Sequence, residues 1–233
     1  IINWDIAKRW LKPTELRRTF RFDQPITPDL LMDSTLQADH VIITHDDFTE
    51  AAESLANHRI INGMSSLVAK LSVIESDFNS DGELEGYKTI KAFLQFTYDS
   101  WVEPRPSYVL LIGDGPEPMP THHQNWQNYS SDLRYVYLDP GSTTTPQMAI
   151  GRIPVNTLQE AESVVEKTIA YESTPETGLW RRSITLVADD FSAPNNNISL
   201  EKTHITNSES LYVRIPAALE VKKLYLEEYP AEN

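Results

Sequence analysis

The sequence predicts an α/β fold built on mainly parallel sheet, and three observations carry that expectation. Tyr108-Val109-Leu110-Leu111-Ile112 is apolar without a break, with Pro106 before it and Gly113-Asp114-Gly115 behind it. A strand apolar on both faces belongs inside a parallel sheet covered by helices above and below. Strand-like and helix-like segments alternate from Ala38 onward, the order of a parallel α/β sandwich. Thr157-Leu158-Gln159-Glu160 forms a capping box, in which hydroxyl and carboxylate satisfy each other's orphan amides at a helix start.

Residues 1–37 have no regular pattern. Trp4, Trp10, Phe20 and Phe22 are unevenly spaced, and Pro13, Pro25 and Pro28 interrupt. The segment reads as an arm, the end of a preceding β-rich domain. Val41 to Thr44 is a short buried strand, and His45-Asp46-Asp47 can cap the helix that follows. Phe48, Ala51, Ala52, Leu55, Ala56 and Arg59 keep helical spacing up to Gly63, a natural stop. Leu67 to Val73 reads as the second strand.

Asp77 to Gly82 begins like a calcium loop, but Lys88 holds the position that requires a bidentate glutamate. A helix from about Glu85 to Trp101 places Ile90, Phe93, Leu94, Thr97, Tyr98 and Trp101 on one stripe. The central strand comes next. Its exit puts Asp114 where ligand and catalytic groups gather in such sheets; the other reading is that Gly-Asp-Gly only turns the chain.

From Met119 to Pro146 the chain is loop-rich, with Arg134 to Leu138 extended and His122-His123 read as exposed loop histidines. Gln147 to Val155 forms another strand and its exit. The capped helix runs to about Glu172 and buries Leu158, Ala161, Val164, Val165, Thr168 and Ile169. Residues 173–179 are a Pro/Gly linker between a first lobe, 38–172, and the start of a second, incomplete one, 180–233. There, Ile184 to Ala188 is a buried strand ending in Asp189-Asp190, a helix spans Thr203 to Leu219, and Val221 to Leu226 is the last strand.

Composition excludes several functions. The 233 residues carry a formal charge of −14, which repels a phosphate backbone and argues against a nucleic-acid partner. There is no cysteine, hence no disulfide, thiolate zinc site or cysteine nucleophile within these residues. No apolar run reaches the ~20 residues of a transmembrane helix. The chain opens Ile-Ile-Asn, without methionine or signal peptide, and reads as an internal piece of something longer. No dinucleotide fingerprint, phosphate loop or G-x-S-x-G elbow is present. Asp189-Asp190 also fits the acidic pair of a receiver domain, which would need an acceptor aspartate on a later strand and a lysine beyond it.

Several segments in this order resemble the gingipain family of cysteine peptidases. They are Ala38 to His45; Asp81-Gly82 with Ile90 to Leu94; Tyr108 to Asp114; Ala149 to Val155 with Lys167 and Tyr171-Glu172; Trp180-Arg181; Val187 to Asp190; and Lys223 to Leu226. Within that family they are most similar to the branch that serves as the cell-surface sortase of the type IX secretion system (PorU-like proteins). The resemblance covers about residues 38–230 and implies a caspase-like fold of two α/β lobes, of which this chain holds the first and the start of the second.

Family catalysis joins a cysteine thiolate to a histidine from a Gly-His motif, with an acid orienting the histidine. Both the cysteine and the Gly-His lie downstream of the last strand seen here. The orienting acid maps to Asp190, with Asp189 as the near alternative; a strand-end acidic turn is the bland reading. Glu201 and His204 have the spacing of the acid and histidine that line a pocket for a basic side chain in arginine-specific members. The alternative is a helix-start glutamate in solvent.

No cofactor is implied for catalysis. A structural calcium is implied at Asp114, although Gln147 stands where the family usually has an acid and calcium wants six to eight oxygens. The partners implied are a protein or peptide substrate and other secretion-system components. The place implied is the outer-membrane surface or the extracellular space. The rival reading is a non-catalytic caspase-like scaffold or partner-binding module.

Overall fold

The computed structural model describes residues 25–84, 86–115, 117, 119–121, 123–124, 129–141, 144–174, 176–189 and 203–228. The chain divides into two compact units, Ile1–Ser173 and Thr174–Asn233.

The first unit is a sandwich of helix, sheet and helix layers. Its strands are β1 (His40–Thr44), β2 (Ser66–Lys70), β3 (Tyr108–Ile112) and β6 (Ala149–Ile153), all parallel in the order β2-β1-β3-β6. Two short strands, β4 (His123–Gln124) and β5 (Tyr129–Ser130), form a separate antiparallel ribbon. Helices α1 (Thr49–Ile61) and α4 (Leu158–Ser173) share one cluster with Ile42, Val68 and Ile112. Helices α2 (Leu71–Phe78) and α3 (Gly86–Ser100) share the other with Val41, Ile43, Leu67, Val109 and Leu111. Successive side chains of a strand point to opposite faces, so an unbroken apolar run feeds both layers.

Asp39 sets the register at the amino ends of the strands. Its N–H and Oδ2 bond Ser65 Oγ, each at 2.8 Å, and its carbonyl accepts from Ser107 N at 2.9 Å and Tyr108 N at 3.1 Å. His40, also buried, lies 3.0 Å through Nδ1 from Ser66 Oγ. The capping box forms as expected: Glu160 N donates to Thr157 Oγ1 and Thr157 N donates to Glu160 Oε2, both at 3.2 Å.

Three local expectations are corrected. The second strand ends at Lys70, and Leu71 to Val73 begin α2 instead. Asp46 accepts from the backbone N and hydroxyl of Ser72, which satisfies a free amide at that helix start. Residues 134–136 are not extended but close a 3₁₀ turn, Asp132–Val136, because Tyr135 and Val136 must both enter the core. The helix from Thr203 ends at Tyr212 rather than Leu219. A turn at Val213-Arg214 and Pro216 intervene, and the residue before a proline is disfavoured in helix.

The second unit pairs β7 (Ser183–Ala188) and β8 (Glu220–Tyr225) in parallel, with α5 (Thr203–Tyr212) contributing Ile205 to their small core of Leu186, Ala188 and Tyr225. No helix among the described residues is long and apolar enough to cross a membrane.

Candidate functional site

At the carboxyl end of the first sheet, β3 leaves through Gly113 at φ 139°, a conformation that favours glycine. The Gly113 and Asp114 amides donate to Ile153 O at 3.0 Å and Val155 O at 2.9 Å, extending the β3–β6 ladder past the strand ends. The half-buried Asp114 carboxylate accepts from Gly115 N at 2.9 Å and from Asn156 Nδ2 at 3.4 Å. Met119 N donates to Asp114 O at 2.9 Å and closes the turn. Asp114 therefore occupies a strand end and also shapes the turn, as both readings of Gly-Asp-Gly allow.

The calcium implied by resemblance finds little support in this donor set. Gln147 Oε1 accepts from Leu138 N at 2.6 Å, and its Nε2 donates to Asp139 Oδ2 at 2.8 Å and Thr145 O at 2.9 Å. Its amide thus fastens its own loop. Among the described residues no group of three or more His, Asp or Glu converges to hold a metal.

Arg152 organises the same end of the sheet, and nothing in the sequence reading singled it out. Its five N–H groups all find acceptors: Asp132 Oδ2 at 2.9 Å and Oδ1 at 2.8 Å, Gly113 O at 2.9 Å, Met119 O at 3.2 Å and Pro120 O at 3.0 Å. Burial opposes its charge, but the Asp132 carboxylate outweighs that and raises the guanidinium pKa. Tyr135 donates its hydroxyl to Pro120 O, and burial pushes its phenol pKa well up. A signal did exist: an arginine inside Ala149-Ile150-Gly151-Arg152-Ile153 has to be paired wherever it is buried.

In the second unit Asp189 leaves β7 and is exposed, beyond the Ala188–Tyr225 pair that ends the ladder. His204 is exposed near the start of α5. Asp190 and Glu201 lie outside the described residues, as do residues 1–24, His122, the side chain of His123 and residues 195–197. No hydrogen bond or ion pair joins Asp189 to His204 among the described residues.

Beside the strand end, Tyr225 donates its hydroxyl to Glu209 Oε1 at 2.8 Å, and Lys223 Nζ reaches Glu209 Oε2 at 2.9 Å. Burial, then the Glu209 carboxylate, push the Tyr225 phenol up to about 12. Hydrogen bonds from Lys223 and Tyr225 hold the Glu209 pKa below its usual value. This tie fastens α5 to β8.

Residues 33–233 match the model of Peptidase family C25. The chain belongs to that family, the gingipain family of cysteine peptidases. The Arg specific cysteine proteinase gingipain R has the same fold: TM-score 0.63, 16% identity, covering 81% of this chain and 41% of that one. Dimeric latent PorU from Porphyromonas gingivalis aligns at TM-score 0.49 and 24% identity, covering 63% of this chain and 17% of that one. The C25 chain described here therefore spans less than half the length of either structure. No curated protein matches it.

Proposed function

We propose that this C25 chain contributes the first lobe and the opening of the second to a gingipain-like cysteine endopeptidase. Its role is that of a surface sortase that removes C-terminal secretion signals from exported proteins. The family match over residues 33–233 carries the reading. The parallel β7–β8 pair with an acidic exit at Asp189 supports it. The substrate is a protein or peptide, and the site of action is the outer-membrane surface or the extracellular space. Other secretion-system components are its partners.

Asp190 is the proposed acid that orients a histidine, with Asp189 as alternative. Glu201 and His204 are proposed to line the pocket for the residue before the cut. An acid in that role fixes the tautomer of the histidine and stabilises its cation as the nucleophile loses its proton. The nucleophile itself is not among these 233 residues, which hold no cysteine.

The test uses the full-length protein that contains this chain. Asp190→Asn lowers kcat for peptide cleavage by about 10²- to 10⁴-fold with little change in KM, while Asp189→Asn leaves both near wild type. Unchanged turnover in Asp190→Asn removes its role. The coding sequence beyond Asn233 must also supply a Gly-His and a cysteine after a buried strand. If it does not, the chain is a non-catalytic caspase-like module, the reading favoured by the missing cysteine and by Gln147 in place of an acid.

A further inference from the structure

Helices α1 and α4 pack together, and their last turns are built from opposite residue types. α1 ends with the basic His58 and Arg59, which suit the partial negative charge of a helix carboxyl terminus. α4 ends with Glu172 and has no base in its last turn. A carboxylate there is misplaced for its own helix. One turn back on α4 stand Thr168 and Ile169, neither of them charged, so the helix itself offers nothing that answers it.

The end of α1 answers it. Glu172 Oε2 accepts from Arg59 Nη1 and lies 2.9 Å from His58 Nε2. The two basic side chains are 11% and 23% exposed, against 36% for Glu172, so the acid is reached from a largely covered base. The end of α1 is itself fixed: Asn62 N and Nδ2 both donate to His58 O, at 3.2 and 2.8 Å, and Gly63 N donates to Ile60 O at 2.9 Å. The end of α4 is not held by apolar burial. Ile169 is its last side chain packed on the core, and Ala170 to Ser173 are all exposed. Thr174 then begins the second unit.

We propose that Glu172 is an acid-released latch: its carboxylate holds the last turn of α4 against α1, and protonation frees Ala170 to Ser173 into the connection between the two units. The hydrogen bond from Arg59, and with it that from His58, outweighs partial burial and holds the Glu172 pKa below its usual 4.5. A carboxylate depressed in this way contributes above its ordinary value and loses the contribution as the pH falls through the folded one. The latch is therefore closed near neutrality and opens in acid. A second element packed on α4, the 3₁₀ turn Asp46–Phe48, carries Asp46 and Asp47. These stand at the opposite end of α1, Asp46 bonded to Ser72 and Asp47 beside His45. The latch is independent of the peptidase reading.

The experiment follows amide hydrogen exchange of the full-length protein from neutral to acid pH, as protection corrected for intrinsic rates. The buried stretch Ala52 to Leu55 of α1 serves as the reference for global unfolding. In wild type the protection of Ala170 to Ser173 falls below about pH 4.5 while the reference holds. Glu172→Gln removes a charge that the helix dipole disfavours, yet it lowers protection of these amides about twofold to fivefold at neutral pH, the value of an exposed ion pair, and abolishes the pH dependence. Arg59→Gln lowers protection as well and adds nothing in the double variant. Glu166→Gln, which neutralises an exposed carboxylate of the same helix, leaves it unchanged. Undiminished protection in Glu172→Gln, additive losses in the double variant, or loss in step with the reference overturns the latch.

Discussion

Arg152 and Asp132, twenty positions apart, are joined by two hydrogen bonds, Nε to Oδ2 at 2.9 Å and Nη2 to Oδ1 at 2.8 Å. The remaining donors of the same guanidinium carry the carbonyls of Gly113, Met119 and Pro120. One side chain of β6 thereby holds the loop that follows β3 and the 3₁₀ turn that covers the core. Lysine keeps the charge but not the fork.

Arg152→Lys is expected to cost about 2 kcal/mol, the order of one lost charge-assisted bond. Arg152→Met leaves Asp132 without its partner and costs about 3–5 kcal/mol. Urea midpoints of the two variants check the order. Equal stability of wild type and Arg152→Met would sink the account.

His40 makes stability depend on pH. Burial, then the charge of Arg59, depress its pKa to about 3. The unfolded chain takes up a proton near the ordinary value of 6.5, while the folded protein does not until far lower pH. The contribution is therefore present above about 6.5 and is lost progressively as pH falls toward about 3. Denaturation midpoints between pH 7 and 4 should fall more steeply for wild type than for His40→Gln; parallel slopes contradict the assignment.

Gly115 is required by close approach. A Cβ at this position would stand 1.9 Å from Thr121 Cγ2, and a β-branched side chain has little freedom to yield. Gly115→Ala lowers the thermal midpoint, and Thr121→Ala in the same chain recovers part of the loss. A double variant no more stable than Gly115→Ala shows that the clash is not the cause.

Tyr225 titrates late because it is buried and donates to Glu209. Replacing Glu209 by Gln removes the negative charge that opposes the phenolate. Spectrophotometric titration at alkaline pH should then show one tyrosine ionising earlier than in wild type. Superimposable curves would reject the tie between α5 and β8.

Leu111 is fully buried in the central strand. Leu111→Ala should cost about 2–5 kcal/mol through lost burial and an unfilled cavity. A loss below about 1 kcal/mol would indicate that the sheet repacks around it.

The sequence by itself determined the α/β class, the central strand and the faces of the helices. Those follow from local periodicity, which burial must respect: Ile90, Phe93, Leu94 and Thr97 are spaced for one stripe and lie in the core. The capping box was legible for the same reason, since both partners lie within one turn. Local pattern could not tell where β2 ends at Lys70, because Leu71 and Val73 are as apolar as the strand before them. Asp114 was legible as a strand-end acid, but that its carboxylate turns toward Gly115 and Asn156 was not. Only the tertiary structure decided what Arg152 pairs with and how Gln147 is engaged. These are contacts between segments 20 to 39 positions apart or between side chains across a loop, and no local signal encodes them. Charges and hydrogen bonds at such distances in the chain exist only once apolar packing has brought the elements together.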